Sequence, residues 1–260
     1  MTQIKEPRVG IAGWSIASRH ADRLPPPGSH LERYARALNA AEINSSFYKP
    51  HRRATYERWA ASVGDDFRFS AKLPKEITHE RRLVDCQEPL ASFLESVGGL
   101  GPKLGALLVQ LPPKLAFGAE AEAFFLQLRG MTQMPVALEP RHPSWASAEP
   151  MLREYRVARV AADPSRFSGD DRPAGWRGLA YFRLHGSPEI YRSDYSAQIA
   201  EIAARLDSVR SGGAEVWCIF DNTTLAHALP NALDLAQTVG SGLERRPQST
   251  TSLASSSFFD

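Results

Sequence analysis

Cysteine is nearly missing from this chain: there are two in 260 residues, Cys86 and Cys218. They stand far apart, make no C-x-x-C and no metal-type spacing, and lie in apolar segments. Buried free thiols are expected, which fits a reducing cytosol. Long hydrophobic runs are missing as well. No stretch reaches the ~18 uninterrupted apolar residues of a membrane helix. The opening MTQIKEPRVG has no apolar run of the signal-peptide kind. A cytoplasmic protein without a membrane partner is the expectation. An excess of one charge is also missing, since 31 Lys and Arg face 29 Asp and Glu for a net +2. That balance does not require nucleic acid, although local patches count for more than totals. There is no G-x-S-x-G elbow, P-loop or H-E-x-x-H, and Gly13-Trp14-Ser15 is not a nucleophile elbow.

What is present is an ordinary globular composition, 43% hydrophobic and 23% charged, long enough for a large core. Eight apolar segments recur: RVGIAGW at 8–14, then AAEINSSFYKP, FRFSAKLP, LGALLVQLPP, VALEPRHPSW, ARVAADP, GLAYFRLHG and EVWCIFDN. Gly10 and Gly13 suggest close backbone approach in the first. Between the segments lie stretches of helical spacing. They include 30–39, a helix closed by Gly64, one capped by Ser193 and stopped by Gly212, and a last one interrupted by Pro230. Pro150 falls early enough in its helix to be tolerated. Residues 164–177 hold too much Gly, Pro and Asp for a good helix, so the sixth helix is degenerate. Nearly continuous apolar strands alternating with helices indicate a parallel sheet. Eight units match a single (β/α)8 TIM-type barrel over 1–240. The Ser/Thr-rich segment 241–260 is expected to be a disordered tail. An open doubly wound sheet is the rival, and the lack of a Gly-rich phosphate fingerprint after the first strand counts against it.

In such a barrel the site lies at the C-terminal strand ends. The apolar pattern breaks there in strand after strand. Side chains alternate with period two, so Glu42 and Asn44 share a face, as do Ser70 and Lys72, Glu139 and Arg141, and Arg183 and His185. Gln110, Asp163 and either Asp221 or Asn222 hold corresponding terminal positions. Buried unpaired charge is costly, so these groups either line a wet pocket or pair in a salt-bridge lattice that plugs the barrel. Trp14, Phe47, Tyr48 and Trp145 are either core or stacking faces at the rim. His51 and His79 lie outside the strand tips and read as solvent-exposed, and His227 reads as an ordinary helical residue.

The motifs VGIAGWS, AAEINSSFY, DDFRFSAKLPKEITH, LGALLVQLPP, EPRHPSW, YFRLHG and FDNT resemble the YecE-like family, domain of unknown function 72. The resemblance runs from about residue 8 to 240 and implies a TIM-type barrel without implying a reaction. The family's last strand is expected to read closer to F-N-N. Asp221 stands at the first of these positions and adds a carboxylate. At barrel level the fold also resembles endonuclease IV and sugar isomerases, which is analogy only.

Three functions compete. The first is an enzyme on an anionic, hydroxyl-rich substrate, a sugar phosphate or nucleotide-derived fragment. Lys72, Arg141 and Arg183 would hold the anion. Glu139 would be the general base and His185 or His142 the acid. Glu42, Asp163 and Asp221 would orient hydroxyls, with Asn44, Gln110, Asn222, Trp14, Tyr48 and Trp145 lining the site. The second is a metal-dependent phosphodiesterase or isomerase with a single Mg²⁺ or Mn²⁺. Glu42, Glu139, His142, Asp163, His185 and Asp221 are competent oxygen and nitrogen ligands, and the histidines at strand ends are too few for a three-zinc nuclease. The third is a non-catalytic nucleic-acid binder using HRR at 51–53 and ERR at 80–82. The sequence does not set the oligomeric state.

Overall fold

The structure is a computed structural model that describes residues 5–244. Its strands are β1 (Arg8–Ile11), β2 (Ala40–Ile43), β3 (Arg68–Lys72), β4 (Leu104–Gln110), β5 (Val136–Glu139), β6 (Val157–Arg159), β7 (Ala161–Asp163), β8 (Ala174–Gly175), β9 (Leu179–Leu184) and β10 (Glu215–Phe220). Its helices are α1 (His30–Ala35), α2 (Arg53–Ala61), α3 (Gln87–Val97), α4 (Ala119–Met131), α5 (Glu149–Glu154), α6 (Ile199–Arg210) and α7 (Ala228–Glu244). The strands β2, β5, β6 and β9 are buried along their whole length. Covered on both faces, they carry no alternating polar side.

The architecture is mixed α/β with two sheets, ordered β1-β10-β9-β7 and β2-β3-β4-β5-β6-β8. All pairings are parallel except β6 with β8. The sheets adjoin at two places. Ala12 bridges Glu42, with Gly13 N donating to Glu42 O at 2.8 Å. At the other side, Val157–Arg159 pairs with β5 while Ala161–Asp163 pairs with β9. Hydrogen bonding runs as two ladders here rather than one closed ring, and the expected sixth strand is divided at Val160. The cause is β8. It takes the free edge of β6 (Ala158 with Gly175, Arg159 with Ala174), so β9 pairs only from Ala161 onward. Among the described residues the loop after β7 holds no helix, as its composition implied.

Two apolar clusters form the core. The larger lies between strands and helices. The smaller draws Ala40, Ala106, Leu108, Ala137 and Ala158 from one sheet and Leu179, Tyr181, Trp217 and Ile219 from the other. The sheets therefore face each other across it. Alanines make room for the stacked rings of Tyr181 and Trp217, 5.8 Å apart and inclined 11°. Gly10 is needed for a close approach, because a Cβ there would sit 2.1 Å from Ala40 O. Gly13, by contrast, has open space around it.

Local expectations needed several corrections. Ser62, not Gly64, closes α2, and the Gly64 carbonyl instead accepts from Phe67 N and Lys103 Nζ. Ser193 does not cap α6. Its hydroxyl accepts from Glu189 N at 2.9 Å in the preceding loop, and the helix starts six residues later, at Ile199. Pro230 does not interrupt α7, because it is the third residue, where N–H groups have no intrahelical acceptor. α1 stops at Ala35 but has a full capping box between Ser29 and Glu32. Pro150 sits in the first turn of α5. α7 runs to Glu244, four residues into the segment expected as tail, and the rest of that segment lies outside the described residues. Cys86 and Cys218 are buried and free. No helix among the described residues is long and apolar enough to cross a membrane.

Candidate functional site

Parallel strands carry their polar tips to one end, and the tips meet on Arg183. Its guanidinium forks onto Glu42, with Nε to Oε2 at 3.0 Å and Nη2 to Oε1 at 2.6 Å. Nη1 donates to Glu139 Oε2 at 2.5 Å and to Gln110 Oε1 at 3.4 Å. Nη2 also donates to Asp221 Oδ2 at 3.1 Å. Tyr181 donates its hydroxyl to Glu42 Oε2 at 3.0 Å, which leaves Ser70 to donate to the Tyr181 oxygen at 2.6 Å. Arg141 sends Nε and Nη2 to Glu139 Oε1 at 3.0 and 2.9 Å. His185 lies between Asp221 Oδ2, 3.0 Å from Nδ1, and Glu139 Oε1, 3.2 Å from Nε2. Arg183 and His185 have no solvent exposure.

The protonation states follow from this packing. Burial alone would raise the Glu139 carboxyl, but Arg183, His185 and Arg141 outweigh it and hold Glu139 well below the usual range. Asp221 is lowered in the same way, with Arg183 and His185 overcoming burial. Burial works against a charged His185, yet Glu139 and Asp221 raise its pKa and favour the imidazolium. Both ring nitrogens then donate, matching the two carboxylates. Buried charge of this kind is tolerated because it is paired and hydrogen-bonded.

Lys72 differs. It is 5% exposed, and its ammonium makes no ion pair or hydrogen bond with any described residue. Nζ lies 4.1 Å from the centroid of the Phe47 ring. The turn carrying Phe47 is tied to the end of β3 by Ser46 Oγ donating to Lys72 O at 2.6 Å. Burial, then the Arg183 charge, lowers Lys72 to about 8, against the pull of Glu42, Glu139 and Asp221. His79 packs edge-on against Phe47, rings 4.9 Å apart, with Nδ1 2.8 Å from Thr78 Oγ1. Burial and the charges of Lys72 and Arg141 lower its pKa, which favours neutral imidazole.

Glu42, Lys72, Gln110, Glu139, Arg141, Arg183, His185 and Asp221 thus share one cluster. Other expected residues stand elsewhere. Asp163 is one residue out of register, since Ala162 pairs with Arg183 and Asp163 with Leu184. Its carboxylate accepts from Tyr195 OH at 2.5 Å. Asn222 faces away too, donating to Ser193 O and Asn231 Oδ1, each at 2.9 Å. His142 Nδ1 accepts from Ser144 N at 3.2 Å and acts as a turn cap. Trp145 is fully buried, its Nε1 donating to Leu115 O at 2.9 Å, so it is core and not rim. Trp14 packs edge-on against Trp59 at 4.9 Å. Asn44 precedes the turn bearing Phe47, and its buried Oδ1 meets no donor among the described residues. Tyr48 is 69% exposed beside Phe47. His51 is half-buried, 5.0 Å from Trp59. Sequence reasoning missed His79 and Tyr191. Tyr191 sits 5.8 Å from the His185 ring and favours the charged form of Arg141. The available signal for His79 was its place seven residues after Lys72, one turn beyond the strand end.

Mg²⁺ or Mn²⁺ does not fit this donor set. Among the described residues no three His, Cys, Asp or Glu are grouped to hold a metal. Glu42, Glu139 and Asp221 instead converge on Arg183, which already supplies the positive charge. In the basic patches Arg53 pairs with Glu57 and Arg81 with Glu76, both at 2.9 Å, which is how solvated helix faces behave.

The family model described as "Protein of unknown function DUF72" matches residues 8–253. The chain is 31% identical over 139 residues to UPF0759 protein YecE of Escherichia coli K12. That alignment covers 53% of this chain and 49% of the relative, so the chain spans about half the length of the curated relatives it matches. A DUF72 family protein from Enterococcus faecalis V583 superposes with a TM-score of 0.75 at 24% identity, covering 90% of this chain and 95% of that one. One from Thermotoga maritima gives 0.75 at 21%, covering 91% and 100%. A Methanosarcina mazei protein described as a methyltransferase gives 0.53 at 9%, covering 91% and 94%. These likenesses concern the fold.

Proposed function

This chain belongs to the DUF72 family, whose function is unknown, and we propose that its strand ends form the anion-binding pocket of an enzyme. The substrate class is an anionic, hydroxyl-rich molecule such as a sugar phosphate or a nucleotide-derived fragment. Residues 5–244 are read as one unit in which the two sheets are arcs of a single (β/α)8 barrel. The Ala12–Glu42 bridge and the shared 157–163 strand support that reading. The two buried free thiols fit a reducing compartment.

The observation that carries the pocket is Lys72. Arg183 and His185 are consumed by carboxylates, while the Lys72 ammonium makes no ion pair or hydrogen bond among the described residues. A cation held this way is available to an incoming anion. Arg141, its side chain 13% exposed, lies within reach of the same charges and adds a planar fork. Tyr48 and Tyr191, both exposed, would offer faces to a sugar or base.

The geometry moves the acid/base assignment. Glu139 is committed to three cations, so it is a poor base, and His185 is locked between two carboxylates. Lys72 and His79, with pKa values drawn toward neutrality from above or held neutral, suit proton transfer better. Calorimetry with inorganic phosphate and a panel of sugar phosphates tests the pocket. Binding should weaken at least about ten-fold in Lys72→Met and in Arg141→Met, the loss of a charged contact. Unchanged affinity in both variants would remove the reading.

A further inference from the structure

We propose that Lys72 acts covalently, its amine condensing with an aldehyde or ketone group of the anionic substrate to give an imine on Nζ. This rests on the anion-pocket reading and deepens it.

An amine that is to act as a nucleophile must not be fixed as an ion-paired ammonium. Here the carboxylates of the layer are all drawn off. Glu42, Glu139 and Asp221 turn to Arg183, and Glu139 also to Arg141 and His185. None is left to trap the Lys72 ammonium in an ion pair. The lysine stem is buried, and the Phe47 ring covers one side of Nζ. Desolvation beside another cation is a recognised way to free an amine lone pair. Held near 8, roughly a tenth of the amine is neutral at pH 7, about two- to three-hundred-fold more than for a free lysine. Arg141 remains to bind the substrate's anion, and His79 to move protons.

The chemistry balances without a redox partner. The Nζ lone pair forms the C–N bond while the carbonyl π pair moves to oxygen. A proton passes from nitrogen to that oxygen, giving a carbinolamine. Nitrogen then forms C=N as the hydroxyl takes the proton that the ammonium had given up, passed back through His79, and departs as water. The resulting iminium carries one positive charge, on which Glu42, Glu139 and Asp221 pull against burial and the Arg183 charge.

The test is reductive trapping. The chain is incubated at pH 7 with glyoxylate, a small anionic aldehyde, and cyanoborohydride, and adducts are mapped by peptide mass spectrometry. Lys72 is expected to be labelled at least about ten-fold faster than exposed Lys49, Lys75 and Lys114, and inorganic phosphate should slow it. Lys72→Arg should keep phosphate binding and lose the fast adduct. If phosphate binds but Lys72 reacts no faster than the surface lysines, the covalent role is overturned and the anion pocket survives. If neither is seen, both fall. Fast labelling that phosphate does not slow keeps the amine chemistry and removes the anion reading.

Discussion

Replacing Arg183 by Met removes the positive centre of the cluster while keeping an unbranched apolar stem of similar reach. Three carboxylates would lose their main partner: Glu42 and Glu139, no more than 1% exposed, and Asp221 at 5%. Glu139 keeps Arg141 and His185, and Asp221 keeps His185. Among the described residues Glu42 keeps the Tyr181 hydroxyl alone. Breaking a buried ion pair from one side costs about 3–5 kcal/mol because a charge is left uncompensated. For a chain of this size that corresponds to a melting temperature lower by about 6–20 °C. The pH dependence has a definite sign. In the parent protein Glu139 and Asp221 are held below their ordinary values. Their stabilisation is therefore complete above the ordinary carboxylate range and fades as pH falls through their folded values. In Arg183→Met, burial is no longer opposed by the guanidinium, so the same carboxyls gain from protonation. The stability gap between parent and variant should be widest near pH 7 and narrow toward pH 4. Urea denaturation across that range measures it. A gap below about 1 kcal/mol at pH 7, the worth of an exposed pair, or one that does not change with pH, would refute the cluster as described.

Lys72→Met should stabilise the protein as it weakens anion binding. The folded state penalises the ammonium below about pH 8, worth about 1–3 kcal/mol, so denaturation should show a gain at pH 7 that shrinks as pH rises through 8 toward the ordinary lysine value. Gly10→Ala should cost about 1–3 kcal/mol or more by overpacking, since its Cβ would meet the Ala40 carbonyl at 2.1 Å; a variant that melts with the parent would show that β1 and β2 are spaced differently. Trp145→Phe should lower stability through loss of the bond to Leu115 O and leave phosphate affinity unchanged, whereas weakened binding would return Trp145 to the pocket.

The alternation of strands and helices was legible because apolar periodicity is local. So was the break into charge at the strand ends, because burying charge is costly whatever the fold. Glu42, Lys72, Glu139, Arg183 and Asp221 were therefore visible as one set. What defeated local reading was register. Asp163 ends its strand in charge like the others, but the division at Val160 puts Ala162, not Asp163, beside Arg183. Asp221 and Asn222 are neighbours in sequence, and only the pleat decides that Asp221 faces the cluster. Trp145 follows a strand tip yet is drawn into the core by Leu115 and Phe117.

Taken alone, the amino-acid order determined which segments are buried and that their ends bear the chemistry, since both follow from hydrophobicity at period two and from the cost of desolvating charge. The tertiary structure decided which charges cancel. Arg183 meets Glu42 across 141 positions of chain and Glu139 across 44, and no local pattern encodes such distances. Because those pairs form, Lys72 has no ion pair among the described residues, and the reactivity proposed for it follows from the packing rather than from its own position in the chain.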